Sequence, residues 1–557
     1  MSTCPACKKN KLICVGDTYQ CEDSECGFIQ QIKIRKAQKW HLKIADNEKV
    51  YWRRVFFADL PELEDEALFS RYLDEIKKYY GDKLFGEAVT MLYAIVTARE
   101  SLTMKEIAWL SGEKHITIKQ LTFIKDFGAL LKTTRDRNRG ALVSAASERY
   151  REYIEKMFPG QRDELGEIFT DMLTAADLKE YKNEQGSYSL PDGLTYIAAY
   201  LPTVLDEIPD ELFNRVYSDD KESTNINNCT KNSMEPHILS RRAKMGEVWS
   251  EYCGNVGLYK NQLDFINISG NCYWTMCDYS NALDFRNKQV KLGEEYFDSG
   301  KIDDENYVAT AYMNRGVTYD DLGKYAESLS DYGKCIEIRE KLHADGKLYD
   351  ENDLALSYMN RGGTHWSTGK YAEALSDYAK CIEIRERLHA DGKLYDENDL
   401  ASAYMNRGVT YDDLGKYAEA LSDYGKCIEI RERLYADGKL YDENDLASAY
   451  MNRGNTLGDI SQYDEALSDY GKCIEISKRL HADGKLYDLG DLAMVMLNKG
   501  ILLATGLNDQ DGALAIFNEA IAMLEAEKEL SYSANDTLQR LYYHRDRLTG
   551  NSDDLQS

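Results

Sequence analysis

The pentapeptide YMNRG stands at 312–316 and returns unchanged from 358, 404 and 450, with a relaxed copy, MLNKG, at 496–500. Aligned on its last residue, the chain gives Gly270, Gly316, Gly362, Gly408, Gly454 and Gly500, each 46 residues after the one before. A unit this short cannot bury its own apolar face, so a period of this kind dictates stacking of neighbouring units into one continuous core. One unit reads AYMNRGVTYDDLGKYAEALSDYGKCIEIRERLYADGKLYDENDL. Apolar residues recur at three- and four-residue intervals over DLASAYMNRGVTYDDLG and YAEALSDYGKCIEIRERLY, which predicts two helices per unit. Asp399 and Asp445 stand ahead of the first helix as expected caps, and ADGK is the expected stop of the second.

The unit resembles the tetratricopeptide repeat, which pairs two antiparallel helices, in its Gly408, Tyr411, Ala420, Tyr424 and Cys427. It is longer than the usual repeat of about 34 residues, and its tail CIEIRERLYADGKLYDENDLA resembles the extended repeats of kinesin light chains. The expected fold class is mainly α: a tetratricopeptide-repeat α-solenoid, wound as a right-handed superhelix with the first helix of each pair on its inner wall. The expected array runs over 236–548, with RRAKMGEVWSEYCGNVG as a capping or degenerate unit and SYSANDTLQRLYYHRDRL as the closing helix.

YMNRG separates into parts. Its glycine permits close helix approach, and its tyrosine falls on the packing face. Its asparagine interrupts an apolar helix at Asn314, Asn360, Asn406, Asn452 and Asn498, and an amide both donates and accepts hydrogen bonds. A similar row lines the inner wall in the tetratricopeptide domain of O-linked N-acetylglucosamine transferase and in kinesin light chain repeats. The resemblance implies that these five residues grip the main chain of a bound peptide; the alternative is that each bonds to the adjacent repeat and orders the stack. Asp320 and Asp412 are neighbouring candidates, and Trp366 replaces the acid in the third unit as a candidate aromatic anchor. An acidic wall implies a protein or peptide ligand carrying basic residues. The arginine of the motif has no assigned role.

Charge divides the chain. Residues 1–160 hold 27 Lys+Arg against 23 Asp+Glu, whereas the other 397 hold 42 against 73. Nucleic acid or anionic membrane is therefore an unsuitable partner for the C-terminal part. Of the 13 cysteines, Cys335, Cys381, Cys427 and Cys473 share the repeat period and read as small buried hydrophobes. Together with the lack of an apolar run long enough for a membrane span, this points to a reducing, cytoplasmic setting.

At the N-terminus, Cys4 and Cys7 are followed by Cys21 and Cys26, two close thiolate pairs around KLICVGDTYQ, which reads as two strands with a Gly16-Asp17 turn. This spacing suits a structural Zn2+ site, with Cys14 as a substitute ligand. Residues 1–36 resemble a zinc ribbon, although the second pair is wider than usual. A helical linker (37–83) then leads to three helical patterns and a hairpin at 84–158, where Ser101 is the expected cap of the second helix. ARESLTMKEIAWL and SERYREYI there resemble the winged helix that follows the nucleotide-binding core of STAND signalling ATPases. The core itself is missing, since no G-x-x-x-x-G-K-[ST] loop occurs. Lys114, Lys119, Arg135, Arg137 and Arg139 supply a local basic excess that could contact nucleic acid. A helical connector (159–235) precedes the array, and 549–557 form a tail.

With no catalytic signature in the chain, the expected function is a non-enzymatic adaptor or sensor that binds a partner polypeptide in the array, within a STAND-like regulatory or defence system. The alternative is a nucleic-acid-linked regulator acting through the winged helix and zinc ribbon.

Overall fold

The computed structural model describes residues 12–15, 18–21, 29–31 and 66–550, except 99, 114–115, 118–119, 122, 125–126, 128–129, 137–138, 148, 184–186, 219–222 and 528. The candidate zinc ligands Cys4, Cys7 and Cys26 lie outside the described residues, as do Lys114, Lys119 and Arg137. The chain divides into two compact units, Met1–Asp278 and Tyr279–Ser557. The division falls within the stretch read from sequence as array.

In the first unit, strands β1 (Leu12–Val15), β2 (Thr18–Cys21) and β3 (Ile29–Gln31) form an antiparallel sheet in that order. Val15 pairs with Thr18 and Leu12 with Cys21, which gives the expected strand pair across Gly16-Asp17; β3 was not foreseen. Helix α1 (Glu66–Thr97) is interrupted at Gly81, whose φ of 73° is left-handed and suits glycine. A two-residue strand β4 (Leu102–Thr103) leads into α2 (Met104–Leu110).

The cap of α2 is Thr103, not the expected Ser101. Thr103 and Glu106 form a capping box, the Glu106 N–H donating to Thr103 Oγ1 at 3.2 Å and the Thr103 N–H to Glu106 Oε2 at 2.6 Å. The sequence S-L-T-M-K-E holds two hydroxyl residues, and only Thr103 stands three before a glutamate. Strands β5 (Leu131–Asp136) and β6 (Gly140–Ala145) form the hairpin around the basic turn, and β4 pairs with β6.

Helices α3 (Arg149–Met157), α4 (Gln161–Ala175), α5 (Asp192–Tyr200), α6 (Asp210–Val216) and α7 (Ile226–Thr230) follow, and α8 (Pro236–Val256) and α9 (Tyr259–Thr275) complete the unit. Its core centres on Trp249, fully buried, stacked on Phe265 at 5.4 Å and edge-on to Phe213 at 5.4 Å. The indole donates to the Ala198 carbonyl at 2.8 Å, so its polar edge is satisfied.

The second unit opens with α10 (Tyr279–Asp298). Four near-identical pairs follow: α11 (Asn306–Asp321) with α12 (Tyr325–Ala344), α13 (Glu351–Ser367) with α14 (Tyr371–Ala390), α15 (Glu397–Asp413) with α16 (Tyr417–Ala436), and α17 (Glu443–Asp459) with α18 (Tyr463–Ala482). Helices α19 (Leu489–Thr505) and α20 (Gln510–Glu525) make a diverged fifth pair, and α21 (Tyr532–Thr549) closes the stack against both.

The first helices begin three residues earlier than expected. Asp350, Asp396 and Asp442 are the caps, each accepting from the N–H two residues on. Asp399 and Asp445 therefore sit inside the first turn, where they serve the junction between repeats. The glycine of ADGK ends the second helix with φ near +66° at Gly438, as expected.

Packing within a pair explains the glycine of the pentapeptide. A Cβ on Gly316, Gly362, Gly408 or Gly454 would stand 2.7–2.9 Å from the ring of Tyr332, Tyr378, Tyr424 or Tyr470 on the facing helix. These rings are 1–3% exposed, and Cys335, Cys381, Cys427 and Cys473 are buried free thiols beside them. Burial pushes the Cys381 and Cys427 thiols up to about 11, so they stay neutral as core groups. Successive first helices approach each other more closely than successive second helices do, which places the first helices on the inner side of the stack.

Candidate peptide-binding face

Each YMNRG residue has a distinct place on its first helix. The tyrosine ring is core, only 2–3% exposed in all four copies. Its hydroxyl crosses to the repeat before: Tyr358 donates to Glu340, Tyr404 to Glu386 and Tyr450 to Glu432. The lysine of its own second helix donates to the same hydroxyl, as Lys380 does to Tyr358 at 3.1 Å, and also pairs with Glu340 at 3.5 Å. Burial, reinforced by the bond to Glu340, raises the Tyr358 hydroxyl far above its ordinary range, which keeps it a donor.

The arginine, unassigned from sequence, closes the helix pair. Arg361 grips Asp377 with Nε and Nη2 both at 2.7 Å, and Arg315, Arg407 and Arg453 repeat the fork on Asp331, Asp423 and Asp469. The aspartates are 3–4% exposed. A planar guanidinium matches a carboxylate in two parallel bonds, so the pair fixes the angle between the helices as well as neutralising a buried charge. In the diverged repeat Lys499 stands in place of the arginine, and Ile516, next to the Phe517 that faces Gly500, stands in place of the aspartate. Both halves of the fork are lost together.

A second arginine went unnoticed in the sequence. Arg339, Arg385 and Arg431, on the second helices, are 2–3% exposed. Arg385 Nε donates to Asn352 Oδ1 at 3.0 Å in its own repeat, and Nη1 donates to the Asp399 carbonyl at 2.8 Å in the next. Asn352 in turn donates to Asp399 Oδ2 at 3.2 Å. The signal was the recurrence of the arginine in CIEIRE, which reads as a solvated charge until the next repeat is laid over it. Ser477 takes its place in the last copy. There burial, with Asp488 nearby, raises the Asp491 carboxyl, whose repeat counterparts face an arginine.

The asparagines make weaker contacts. Asn360, Asn406 and Asn452 lie half-buried to exposed on the inner helices. Their Nδ2 atoms stand 3.8, 3.8 and 3.9 Å from the sulfurs of Met313, Met359 and Met405, one repeat earlier. A thioether is a weak acceptor, and among the described residues no donor reaches the amide oxygens of these three. Asn498 differs, donating to Asn455 Oδ1 at 3.1 Å. Asn314 continues the row on α11.

The acidic candidates are used partly for architecture. Asp320 Oδ2 accepts from Tyr332 at 3.1 Å and from Thr364 of the next repeat at 2.6 Å, and Asp412 Oδ1 accepts from Thr456 at 2.8 Å. Trp366 is 40% exposed, and its indole donates to Asp413 Oδ2 at 2.6 Å.

Of the basic candidates in the first unit, Arg135 is exposed on β5. Arg139 turns inward, donating from Nη2 to Glu106 Oε1 at 2.8 Å. Arg241 reaches the same oxygen at 2.6 Å and Glu100 at 2.7 Å. Burial alone would raise the Glu106 carboxyl, but Arg241 outweighs it, with the Thr103 N–H and Arg139 adding to the effect, and holds it below the usual range. Glu106 is thus at once a helix cap and the anion of a buried ion cluster.

These features define a class, a solenoid of tetratricopeptide-type helix pairs. Residues 353–433, and separately 308–346 and 446–483, match family models described as tetratricopeptide repeat. The chain therefore carries tetratricopeptide repeats. No curated protein matches it. Among solved structures it is similar to BtubC from P. vanneervenii, at 17% identity and TM-score 0.38 over 44% of this chain and 92% of that one. It is also similar to a signal-transduction ATPase with numerous domains and a tetratricopeptide-repeat sensor from Pyrococcus horikoshii, at 14% identity and TM-score 0.41 over 92% and 70%. The apo quorum sensor NprR from B. thuringiensis aligns at 15% identity and TM-score 0.34 over 71% and 99%. No helix among the described residues is long and apolar enough to cross a membrane.

Proposed function

We propose that the repeat array is the binding element of a non-enzymatic adaptor or sensor, and that it holds an extended polypeptide along its first helices. The observation that supports this most is the contrast within YMNRG. Tyrosine, arginine and glycine are each committed to strong contacts within the stack, whereas among the described residues the amides of Asn360, Asn406 and Asn452 meet only a thioether. A row of such amides, one per repeat, can donate to and accept from a peptide backbone. At about 0.5–1.5 kcal/mol net per bond, several rungs give micromolar affinity.

In this reading the N-terminal modules, with Zn2+ held by Cys4, Cys7, Cys21 and Cys26, pass the binding event to a further component, as in a STAND-like system in the cytoplasm. Direct nucleic-acid binding is the weaker reading, because Arg139 is consumed by Glu106. The test is the triple variant Asn360→Ala, Asn406→Ala and Asn452→Ala. It should lose the partners that co-purify with the full chain, measured by mass spectrometry, while its thermal melt is unchanged. Retention of the same partners would reduce the row to architecture.

A further inference from the structure

Along the first helices, the methionine of each YMNRG meets the asparagine one repeat later. Met313, Met359 and Met405 set their sulfurs 3.8, 3.8 and 3.9 Å from the Nδ2 atoms of Asn360, Asn406 and Asn452. Their cover is unequal. Met313 is only 5% exposed, whereas Met359 and Met405 are half-buried at the edge of the core. Met451 is half-buried too, but Asn498, the asparagine one repeat on, donates to Asn455 instead. Among the described residues of the row, Met359 and Met405 alone combine access to solvent with an amide donor at sulfur.

A thioether is a weak acceptor, so contact with it leaves an amide N–H available to a peptide carbonyl. Oxygen on the sulfur reverses this, because a sulfoxide is polar and its oxygen accepts strongly. Hydrogen peroxide supplies that oxygen in one two-electron step. A sulfur lone pair forms the S–O bond as the O–O bond breaks, and the transferred oxygen passes its proton to the departing hydroxide, which leaves as water. Sulfur is oxidised and the peroxide is reduced. The cysteines of the same helix pairs do not compete for the oxidant. Cys381 and Cys427 are fully buried, and burial holds them as thiols rather than the reactive thiolates.

We propose that Met359 and Met405 are oxidation sites that switch the asparagine row: as sulfoxides they hold the amides of Asn406 and Asn452 and withdraw them from the bound polypeptide. The inference rests on the peptide-binding reading above and adds its regulation. The oxidised row keeps its packing, since the modification is uncharged and sits at the solvent edge, but two adjacent rungs are spent within the stack. Reduction of the sulfoxides by thiol-dependent reductases, one for each epimer, restores the thioethers and frees the amides.

The test uses the full chain, hydrogen peroxide, and peptides selected on the reduced protein from a phage-displayed library of random sequences. Peptide mapping by mass spectrometry should find oxygen on Met359 and Met405 before Met245 and Met496, which are 2% and 0% exposed. Peptide affinity should then fall about tenfold, as for two lost hydrogen bonds, and recover with the two reductases and dithiothreitol. The double variant Met359→Leu, Met405→Leu keeps the volume of the side chains; it should bind the peptides as the wild type does and ignore the peroxide. Met451→Leu should remain sensitive. Cysteine oxidation is common to all three chains and so drops out of the comparison. Affinity that survives oxidation of the two methionines, or that still falls in the double variant, overturns the switch while the groove reading stands. Recovery of no peptide overturns both.

Discussion

At the residue scale, two arginines in each repeat do different work. The arginine of YMNRG is half-buried and forks onto one carboxylate within its repeat. The arginine of CIEIRE is almost wholly buried and spends its donors across a junction. Removing the first should cost more, because it leaves a buried carboxylate without its counter-charge. Arg361→Met strands Asp377, only 4% exposed, at about 3–5 kcal/mol. Arg385→Met keeps the length of the side chain and frees Asn352 Oδ1 and the Asp399 carbonyl, which belong to half-buried residues and can be rehydrated in part. Urea denaturation should therefore rank Arg361→Met below Arg385→Met in midpoint, and the reverse order would show that the helix pair relaxes to let water reach Asp377. Neither role was legible in sequence, since a charged residue on an amphipathic helix looks the same whether its partner is water or the next repeat.

At the scale of the helix pair, one glycine is obligatory and another is not. Gly408 sits against the Tyr424 ring, where a Cβ would stand 2.8 Å away, but Gly425 on the facing helix has nothing within 4 Å. Gly408→Ala should thus lower stability by about 1–3 kcal/mol through overpacking. Gly425→Ala should raise it by about 0.5–1 kcal/mol through helix propensity. The third repeat already carries Ala379 at the latter position. Paired thermal melts check both signs. The helices themselves were legible because the repeat shows the same apolar spacing four times over. Their first residues were not, because Y-D-E-N-D offers two aspartates three apart and the cap is chosen by which N–H groups each can reach. Thr103 was hidden behind Ser101 for a similar reason. The asparagine row was visible as an interruption of apolar helices.

At the scale of the whole molecule, the two units rest on different physics. The first holds one mixed core around Trp249 and a buried ion cluster at Glu106, whereas the second repeats one interface along its length. The N-terminal sheet is too small to bury much apolar surface, and metal binding would supply its folding energy. Metal analysis of the purified chain should give about one Zn2+ per molecule. Its removal by a strong chelator should leave the helical signal of the array unchanged, and a chain purified without metal and indifferent to the chelator would retire the zinc ribbon. The junctions of the array have a further consequence. Arg339, Arg385 and Arg431 each present the same donors to the same acceptors, so the trailing face of one repeat fits the leading face of any other up to Ser477. Units are thus interchangeable parts. Unequal recombination within so uniform a coding stretch can add or drop a block of 46 residues without leaving a mismatched seam, and each block added lengthens the groove by one more asparagine.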